Sequence, residues 1–205
     1  MGRKIVQTAR GSNRKSTHPI VIIVCEGKKT EPIYFENFNV RNKNLKIAVV
    51  TGAAGKSYTE LVQAAVRAKE KYTDGVEAEW QLWCVSDVDN ATEKQLADYK
   101  AAVTKEGFKI ALSNPCFELW YLLHYSYTTG ALASYAEVVK KLPKELQPYQ
   151  KNENIYPKLF DNEATAITYA EKLQKHHESQ GVTDLLKPGV NPYTNVFELV
   201  SVLRG

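Results

Sequence analysis

Long apolar runs are missing from this sequence. In its 205 residues no stretch approaches the roughly 18 apolar residues that a membrane-spanning helix requires. The N-terminal segment also lacks the continuous apolar core of a secretory signal. We therefore expect a cytoplasmic protein with no membrane contact. The hydrophobic content of 43% and the charged content of 24% are ordinary for a globular protein, and the length suits one compact domain.

Cysteine is scarce as well. The three cysteines, Cys25, Cys84 and Cys116, lie in apolar segments, and their spacing matches no metal-binding motif. A structural zinc site needs pairs of ligands at short spacing, so a zinc ribbon is excluded. We expect three buried, reduced thiols, which agrees with a cytoplasmic location.

A strong net charge is also absent, although the charge is unevenly distributed. Residues 1–18 hold five of the 27 basic residues and none of the 23 acidic ones, so the rest of the chain is almost neutral. The body of the protein is therefore not a strongly basic platform for nucleic acid. The tail is predicted to be disordered, and it is either simply solvated or attracts phosphate groups.

What the sequence does contain is an alternation of apolar runs and amphipathic segments. Residues 19–25 form a continuous aliphatic run, which is typical of a strand buried on both faces of a parallel sheet. The predicted strands are 19–25, 45–50, 80–86 and 108–113, and the predicted helices between them are 31–41, 58–72 and 92–106. Two of these helices begin with a capping-box pattern. The alternation predicts an α/β sheet of about four parallel strands with right-handed crossovers.

The alternation stops after residue 113. Residues 114–125 are predicted to be helical, with Asn114 as a possible cap and Pro115 in the first turn. Further helices are predicted at 131–142, 161–179 and 193–204, with Asn191 and Pro192 at the start of the last one. The predicted organisation is a basic tail (1–18), an α/β core (19–113) and a helical C-terminal part packed on that core (114–205).

Acidic residues directly follow two of the predicted strands. Glu26 comes after the first strand, and Asp87 and Asp89, two residues apart on a segment taken as extended, come after the third. Ligands bind outside the carboxyl ends of the strands of such a sheet, so the three side chains converge if these strands are neighbours, ~4.8 Å apart. Clustered carboxylates repel one another, and a hard divalent cation such as Mg²⁺ is the usual compensation. A D-x-D alone occurs by chance in many loops, so the joint placement is what favours a metal site.

Three lysines are candidate phosphate-binding residues. Lys28 and Lys29 adjoin Glu26, where they either hold a phosphodiester beside the metal or are solvated turn residues. Lys151 lies in a loop that mixes aromatic and basic residues. In one interpretation Lys151 contacts a nucleic-acid backbone while Tyr149 stacks on a base. In the other, this loop is an ordinary polar connection.

Two similar motifs do not fit. The segment 52–57 suggests a phosphate-binding P-loop, but Gly52 lies three residues before Gly55 rather than five. The D-x-D of aspartyl-phosphate phosphatases belongs on the first strand of its domain. It also has Thr or Val two residues after the second Asp, where this sequence has Ala91.

Four segments together resemble the RloB family, bacterial proteins of anti-phage abortive-infection systems. They are IVIIVCEGKKTEPIYF, VSDVDN, LSNPCFELWYLLHY and NPYTNVFELVSVL, and the resemblance runs from about residue 19 to residue 203. RloB proteins are grouped with Toprim-like domains, so the resemblance implies a compact parallel α/β sheet. Toprim enzymes use a glutamate after the first strand and a D-x-D after the third, with Mg²⁺, to cut or join phosphodiesters.

On this resemblance Glu26 is the Toprim glutamate, and Asp87 and Asp89 are the metal pair. The segment specific to RloB proteins adds Asn114 and Glu118, one helical turn apart near the carboxyl edge of the sheet, as further polar candidates. An ATPase partner of the AAA/ABC type, encoded alongside, is also implied.

The function expected from these observations is that of a nuclease dependent on Mg²⁺, or on Mn²⁺, acting in anti-phage defence. The alternative is a catalytically inactive module that senses nucleic acid or a nucleotide and signals to the ATPase. A third possibility is a phosphatase or nucleotidyltransferase that acts on small molecules.

Overall fold

The computed structural model describes residues 18–41, 44–52 and 57–205. The predicted disordered tail therefore lies outside the described residues, except for His18. Part of the segment that suggested a P-loop, residues 53–56, lies outside them as well.

A five-stranded sheet forms the centre of the described chain, in the order β2-β1-β3-β4-β5. The strands are β1 (Ile20–Cys25), β2 (Lys46–Thr51), β3 (Trp80–Asp87), β4 (Lys109–Asn114) and β5 (Tyr193–Thr194). The first four are parallel, and β5 runs antiparallel to β4. The expected α/β sheet is confirmed, with one strand more than the sequence patterns predict.

β1 is an interior strand between β2 and β3, and all six of its residues are buried. Side chains alternate along a strand, so Val21 and Ile23 face one hydrophobic cluster while Ile22 and Val24 face the other. The prediction of a strand buried on both faces is confirmed. The three cysteines are buried and unpaired, also as predicted. Within the described ranges, no helix has the length and apolar character needed to cross a bilayer.

Helices pack on both faces of the sheet. α2 (Tyr58–Thr73) and α3 (Glu93–Lys105) cover one face, and α1 and the helices of the second half cover the other. These are α1 (Thr30–Glu36), α4 (Glu118–Leu123), α5 (Tyr135–Lys141), α6 (Tyr156–Leu159), α7 (Glu163–Ser179) and α8 (Val196–Arg204), with 3-10 turns at Asn37–Val40, Lys144–Leu146 and Phe160–Asn162.

Both predicted capping boxes are present, and both lie at the starts of helices that lead away from the carboxyl edge of the sheet. The Ser57 N–H donates to Glu60 Oε2 (3.0 Å), and the Thr92 N–H donates to Gln95 Oε1 (2.8 Å). These bonds satisfy backbone donors that have no partner inside the helix. The starts of α2 and α3 are therefore well defined beside the site described below.

The direction of the chain across the sheet reverses at β1. The chain passes from β1 to β2 on one side and then crosses back to β3 on the other, so β1 and β3 are neighbours. The carboxyl ends of these two strands form the switch point at which open α/β sheets bind ligands. The adjacency on which the predicted convergence of Glu26 with the two aspartates depends is therefore met.

The segment after β4 differs from the prediction. Asn114 is not a helix cap but the last residue of β4, where it pairs with Tyr193 of β5. The helix begins only at Glu118, so Pro115 lies outside it, and Asn114 and Glu118 are not separated by a helical turn. The prediction failed because an Asn-Pro pair is equally compatible with the end of a strand.

The start of the predicted last helix is also wrong. Tyr193 and Thr194 form β5, and α8 begins at Val196. Asn191 does not cap that helix, because its amide nitrogen donates to Asn114 Oδ1 and to the Leu132 carbonyl, both at 2.9 Å. A two-residue strand has no periodicity of its own, so its pairing with β4 could not be read from the local pattern.

Candidate active site

Glu26 and Asp87 meet at the carboxyl ends of β1 and β3. The Glu26 N–H donates to the Val85 carbonyl (2.9 Å), so the ladder between the two strands continues one residue past β1. Asp87, the last residue of β3, donates its backbone N–H to Glu26 Oε2 over a longer distance of 3.4 Å. The backbone of β3 thus orients the Glu26 carboxylate.

Asp89 reaches the same place by a turn rather than along a strand. β3 ends at Asp87, and Asp89 has a φ of +43°, in the left-handed region that Asp tolerates better than most residues. The turn closes where the Ala91 N–H donates to the Val88 carbonyl (2.8 Å). The prediction that Asp87 and Asp89 lie on one extended segment is therefore wrong. Glu26, Asp87 and Asp89 nevertheless line the same two cavities.

Glu31 is a fourth carboxylate at this site that the sequence analysis did not select. It lies in the first turn of α1, is 7% exposed, and lines a cavity together with Glu26 and Asp87. Its carboxylate lies over Gly27 and accepts from the backbone N–H groups of Gly27 and Glu31. Acids are common in first helical turns because they interact favourably with the helix dipole, so the pattern offered no reason to choose this one.

Glu118 lies behind the cavity wall. It is the first residue of α4 and is 1% exposed. Its Oε1 accepts from the Tyr149 hydroxyl (2.9 Å) and from Thr30 Oγ1 (3.4 Å). These bonds join α1, α4 and the loop around residue 150, so in this arrangement Glu118 supports the site from within the protein.

Burial, and after it repulsion between carboxylates, raises the pKa values of the acidic residues at this site. Burial raises the pKa of Glu26 to about 7; the Asp87 N–H lowers it in part, and repulsion by nearby carboxylates adds to the increase. Burial, followed by repulsion from the four neighbouring carboxylates, raises the pKa of Asp87 well above its usual range. Burial likewise raises the pKa values of Asp89 and Glu31. The cluster therefore has a tendency to bind protons or a cation near neutral pH.

Lys28, Lys29 and Lys151 lie around the carboxylates. They line a cavity of about 360 Å³ with Glu26, Glu31, Asp87 and Asp89, which we call the lysine cavity. Burial by itself lowers the pKa of Lys151, but attraction to Glu118, Asp87 and other groups outweighs it and raises that pKa above its ordinary value. Lys151 therefore stays charged, as a phosphate-binding residue must.

A second cavity lies on the other side of the same carboxylates. It has a volume of about 510 Å³ and shares Glu26, Asp87 and Asp89 with the lysine cavity. Its remaining walls come from α2, α3 and the turn after β3, and they include Tyr58 and Tyr99, so we call it the tyrosine cavity.

Two residues proposed from the sequence are used elsewhere in the structure. The Asn114 amide nitrogen donates to the carbonyls of Pro188 (2.9 Å) and Val190 (2.8 Å), which holds the loop before β5, and Asn114 lines neither cavity. The hydroxyl of Tyr149 is donated to Glu118, and its ring lies edge-on to Tyr121 with the centroids 6.1 Å apart. These two contacts fix the half-buried Tyr149 ring against the protein.

The donor chemistry of Glu26, Asp87 and Asp89 fits Mg²⁺ or Mn²⁺, because both ions prefer carboxylate oxygens. Among residues 18–41, 44–52 and 57–205, however, no three acidic, His or Cys side chains already form a group that could hold a metal ion. Mg²⁺ commonly takes one or two protein carboxylates together with water and phosphate oxygens, so carboxylate donors remain compatible with it.

Comparison with known proteins gives a family but no close relative. A sequence profile of the RloB-like protein family matches residues 21–203, nearly the whole chain. No curated protein and no solved structure matches the chain significantly.

Proposed function

The chain belongs to the RloB-like protein family, and we propose that it is a metal-dependent nuclease with a Toprim-like fold that hydrolyses phosphodiester bonds of nucleic acid. The observation that carries this proposal is the meeting of Glu26, Asp87 and Asp89 with three lysines in one cavity at the switch point of the sheet. A glutamate after the first strand and a D-x-D after the third also support the Toprim-like classification.

The lysine cavity binds the phosphate in this proposal. Lys28 and Lys29 approach from the turn between β1 and α1, and Lys151 approaches from the loop of the second half. Their ammonium groups attract the negatively charged phosphate oxygens, which acidic residues alone would repel. The scissile phosphate is thereby placed beside the Glu26 carboxylate.

Glu26 handles the proton. A carboxyl group whose pKa lies near the working pH both takes and returns a proton efficiently, and the pKa of Glu26 is about 7. Its Oε2 is oriented by the Asp87 N–H, so the carboxylate can accept a proton from the attacking water. Lys28 or Lys29 stabilises the charge that develops on the phosphate. A Mg²⁺ held by Asp87 and Asp89 would supply Lewis-acid activation of the phosphate and leave the Glu26 carboxylate free to take the proton.

The family resemblance extends the proposal to a partner. We infer that the protein works with an AAA/ABC-type ATPase encoded alongside it, in a cytoplasmic anti-phage system. Lys151 and Tyr149 belong to a loop whose side chains contact Glu118 and line the lysine cavity. A movement of this loop on binding the ATPase would change the site directly.

One observation favours the alternative of a catalytically inactive sensor. The carboxylates are close together, but no three-ligand group for a metal is already formed in the described part of the chain. A module that binds nucleic acid or a nucleotide with the lysines and signals to the ATPase needs no metal at all.

The test is a cleavage assay with wild type and Asp87→Asn. Plasmid DNA, single-stranded DNA and tRNA are incubated with each protein in Mg²⁺ or Mn²⁺ and in EDTA, with and without the ATPase. We expect cleavage by the wild type that stops in EDTA and that falls at least about a hundredfold in the variant.

Asp74→Asn is the matched control. Asp74 is exposed and lies at the C-terminal end of α2, at the opposite edge of the sheet from the site. This variant should cleave at the wild-type rate. Absence of cleavage of every substrate would favour the sensor, and turnover of free nucleotides alone would indicate a small-molecule enzyme.

A further inference from the structure

Apart from the three carboxylates that it shares with the lysine cavity, the lining of the tyrosine cavity has no part in the phosphate chemistry described above. Tyr58 of α2 and Tyr99 of α3 stack there with ring centroids 4.5 Å apart and planes inclined by 11°. Val62 and Ala102 extend this apolar wall. The Tyr58 hydroxyl donates to the Asp87 carbonyl (2.7 Å), so the half-buried Tyr58 ring is fixed beside the carboxylates.

The chemistry of this cavity suits an uncharged, flat group rather than a phosphate. Its described lining contains no Lys or Arg, and Asp98 at the rim is paired with Lys94 (2.6 Å), so no lining cation is available to a phosphate. Gln63 and Asn90 are exposed at the rim, where their amides can both donate and accept hydrogen bonds. Aromatic walls with a few convergent amides are typical of sites that bind heterocycles.

The two cavities lie on either side of the same carboxylates. Because the two cavities share Glu26, Asp87 and Asp89, a nucleic-acid strand with a phosphate in the lysine cavity could reach the tyrosine cavity with an adjoining nucleotide. A volume of about 510 Å³ is ample for one base with its sugar. A base inside a duplex is paired and stacked, so only an unpaired base can enter such a cavity without a cost for its extrusion.

We propose that the tyrosine cavity binds one unpaired nucleobase of a single-stranded nucleic acid whose adjoining phosphate occupies the lysine cavity. This rests on the proposed function for the placement of the phosphate, but not for the occupancy of the tyrosine cavity. The substrate is accordingly single-stranded DNA or RNA, or an unpaired segment of a structured RNA.

The test compares two short labelled strands, one with its bases and one that is abasic throughout, by fluorescence anisotropy in EDTA and in Mg²⁺. Wild type should bind the strand with bases about tenfold more tightly, since stacking of each base contributes roughly fivefold or more to affinity. Ala102→Leu fills the cavity, so it should bind the strand with bases about tenfold more weakly than wild type. It should bind the abasic strand as wild type does.

Ala101→Leu is the matched control, because Ala101 is the exposed neighbour of Ala102 on α3 and lines neither cavity. It should bind both strands as wild type does. If Ala102→Leu does not fold, as judged by circular dichroism, Gln63→Ala removes only an exposed rim side chain. The loss of affinity in Gln63→Ala should likewise be confined to the strand with bases.

The outcomes separate this inference from the nuclease. Equal affinity of wild type for the two strands, or no binding of either in both buffers, overturns the base-binding cavity. The base-binding cavity is also overturned if Ala102→Leu weakens the binding of both strands equally. A protein that distinguishes the strands but cleaves neither keeps the cavity and loses the nuclease. A protein that cleaves strands, but whose affinity for the strand with bases is unchanged by Ala102→Leu, keeps the nuclease and loses the cavity.

Discussion

Gly27 is the residue on which the position of the Glu31 carboxylate depends. A methyl group added at Gly27 would lie 2.6 Å from Glu31 Oε1 and 2.8 Å from its Cδ, closer than atoms of a folded protein approach. Gly27 is therefore required because it has no side chain. The Glu31 carboxylate occupies the position of the missing methyl group and accepts hydrogen bonds from the backbone of the turn. That turn also carries Lys28 and Lys29.

Gly27→Ala should lower the free energy of unfolding by about 1–3 kcal/mol, because Glu31 has to leave its backbone partners. In a Glu31→Ala background the same substitution should cost little, because the added methyl group then meets the short side chain of an alanine. Urea denaturation of the four proteins measures this coupling.

Gly189→Ala is the control for the loss of glycine itself, since an added methyl group there meets no atom within 4 Å. We expect a change below about 0.5 kcal/mol. An equal cost of Gly27→Ala in both backgrounds would show that Glu31 is not the group it displaces.

His124 is a buried histidine far from a charged partner. Its Nδ1–H donates to the Trp120 carbonyl (2.8 Å), and its Nε2 has no hydrogen-bond partner among the described residues. Burial lowers the pKa of His124 to about 4, although the bond to Trp120 opposes this. The unfolded chain takes up the proton near pH 6.5, so the folded state loses stability as the pH falls from about 6.5 to about 4.

The stability of the wild type should therefore fall by about 2–3 kcal/mol more than that of His124→Asn between pH 7.5 and pH 4.5. Asn retains an N–H donor for the Trp120 carbonyl but does not titrate, so titration of the other groups cancels in the comparison. Urea denaturation at the two pH values gives the difference. Parallel losses in the two proteins would contradict a neutral buried His124.

At the scale of the element, β5 is a strand of two residues that is held by more than its own ladder. Asn195, directly after it, accepts from the Leu112 N–H (2.7 Å) and donates to the Ile110 carbonyl (2.9 Å). Its backbone N–H donates to the Leu112 carbonyl as well. One side chain thus continues the pairing of β4 where β5 has ended.

Asn195→Ala should lower the free energy of unfolding by about 2–4 kcal/mol, because a buried N–H and a carbonyl of β4 lose their partners together. Thermal or urea denaturation measures the loss. Asn152→Ala, at an exposed position of the second half, should change the stability by less than about 0.5 kcal/mol. A comparably small effect at Asn195 would mean that water replaces its side chain.

The elements that the sequence predicted are those whose determinants are local. The aliphatic run of β1 and the capping boxes of α2 and α3 are complete within a few residues, and each was found close to its observed bounds. β5 and the true role of Asn114 depend on pairing across 81 residues or so, which no local pattern contains.

The same distinction between local and tertiary determinants holds at the site. Glu26 and Asp87 lie at the carboxyl ends of strands, which the local pattern indicates, whereas Glu31 and the stacked Tyr58 and Tyr99 meet only through tertiary packing.

At the scale of the whole molecule, the two segments predicted as a core (19–113) and a C-terminal part (114–205) share one hydrophobic cluster. It contains Val21 and Trp83 from the sheet and Trp120 and Val200 from the helices after it. β5 extends the sheet from the second segment, and Thr30 of the first contacts Glu118 of the second. Without residues 114–205, the face of β1 that contains Val21 and Ile23 would keep only the cover of α1 and the turn after it, and each Å² of apolar surface exposed would cost about 25 cal/mol.

We therefore expect the two segments to unfold in one cooperative transition. In a variant that retains only Trp83, fluorescence reports on β3, and in one that retains only Trp120 it reports on α4. The remaining tryptophans are changed to phenylalanine in each. Because both indoles lie in the same buried cluster, their urea midpoints should coincide with each other and with the loss of helix measured by circular dichroism. An earlier midpoint for Trp120 would show that the helical part detaches while the sheet persists. In that case the Thr30–Glu118 contact would join two separable units rather than lie within one core.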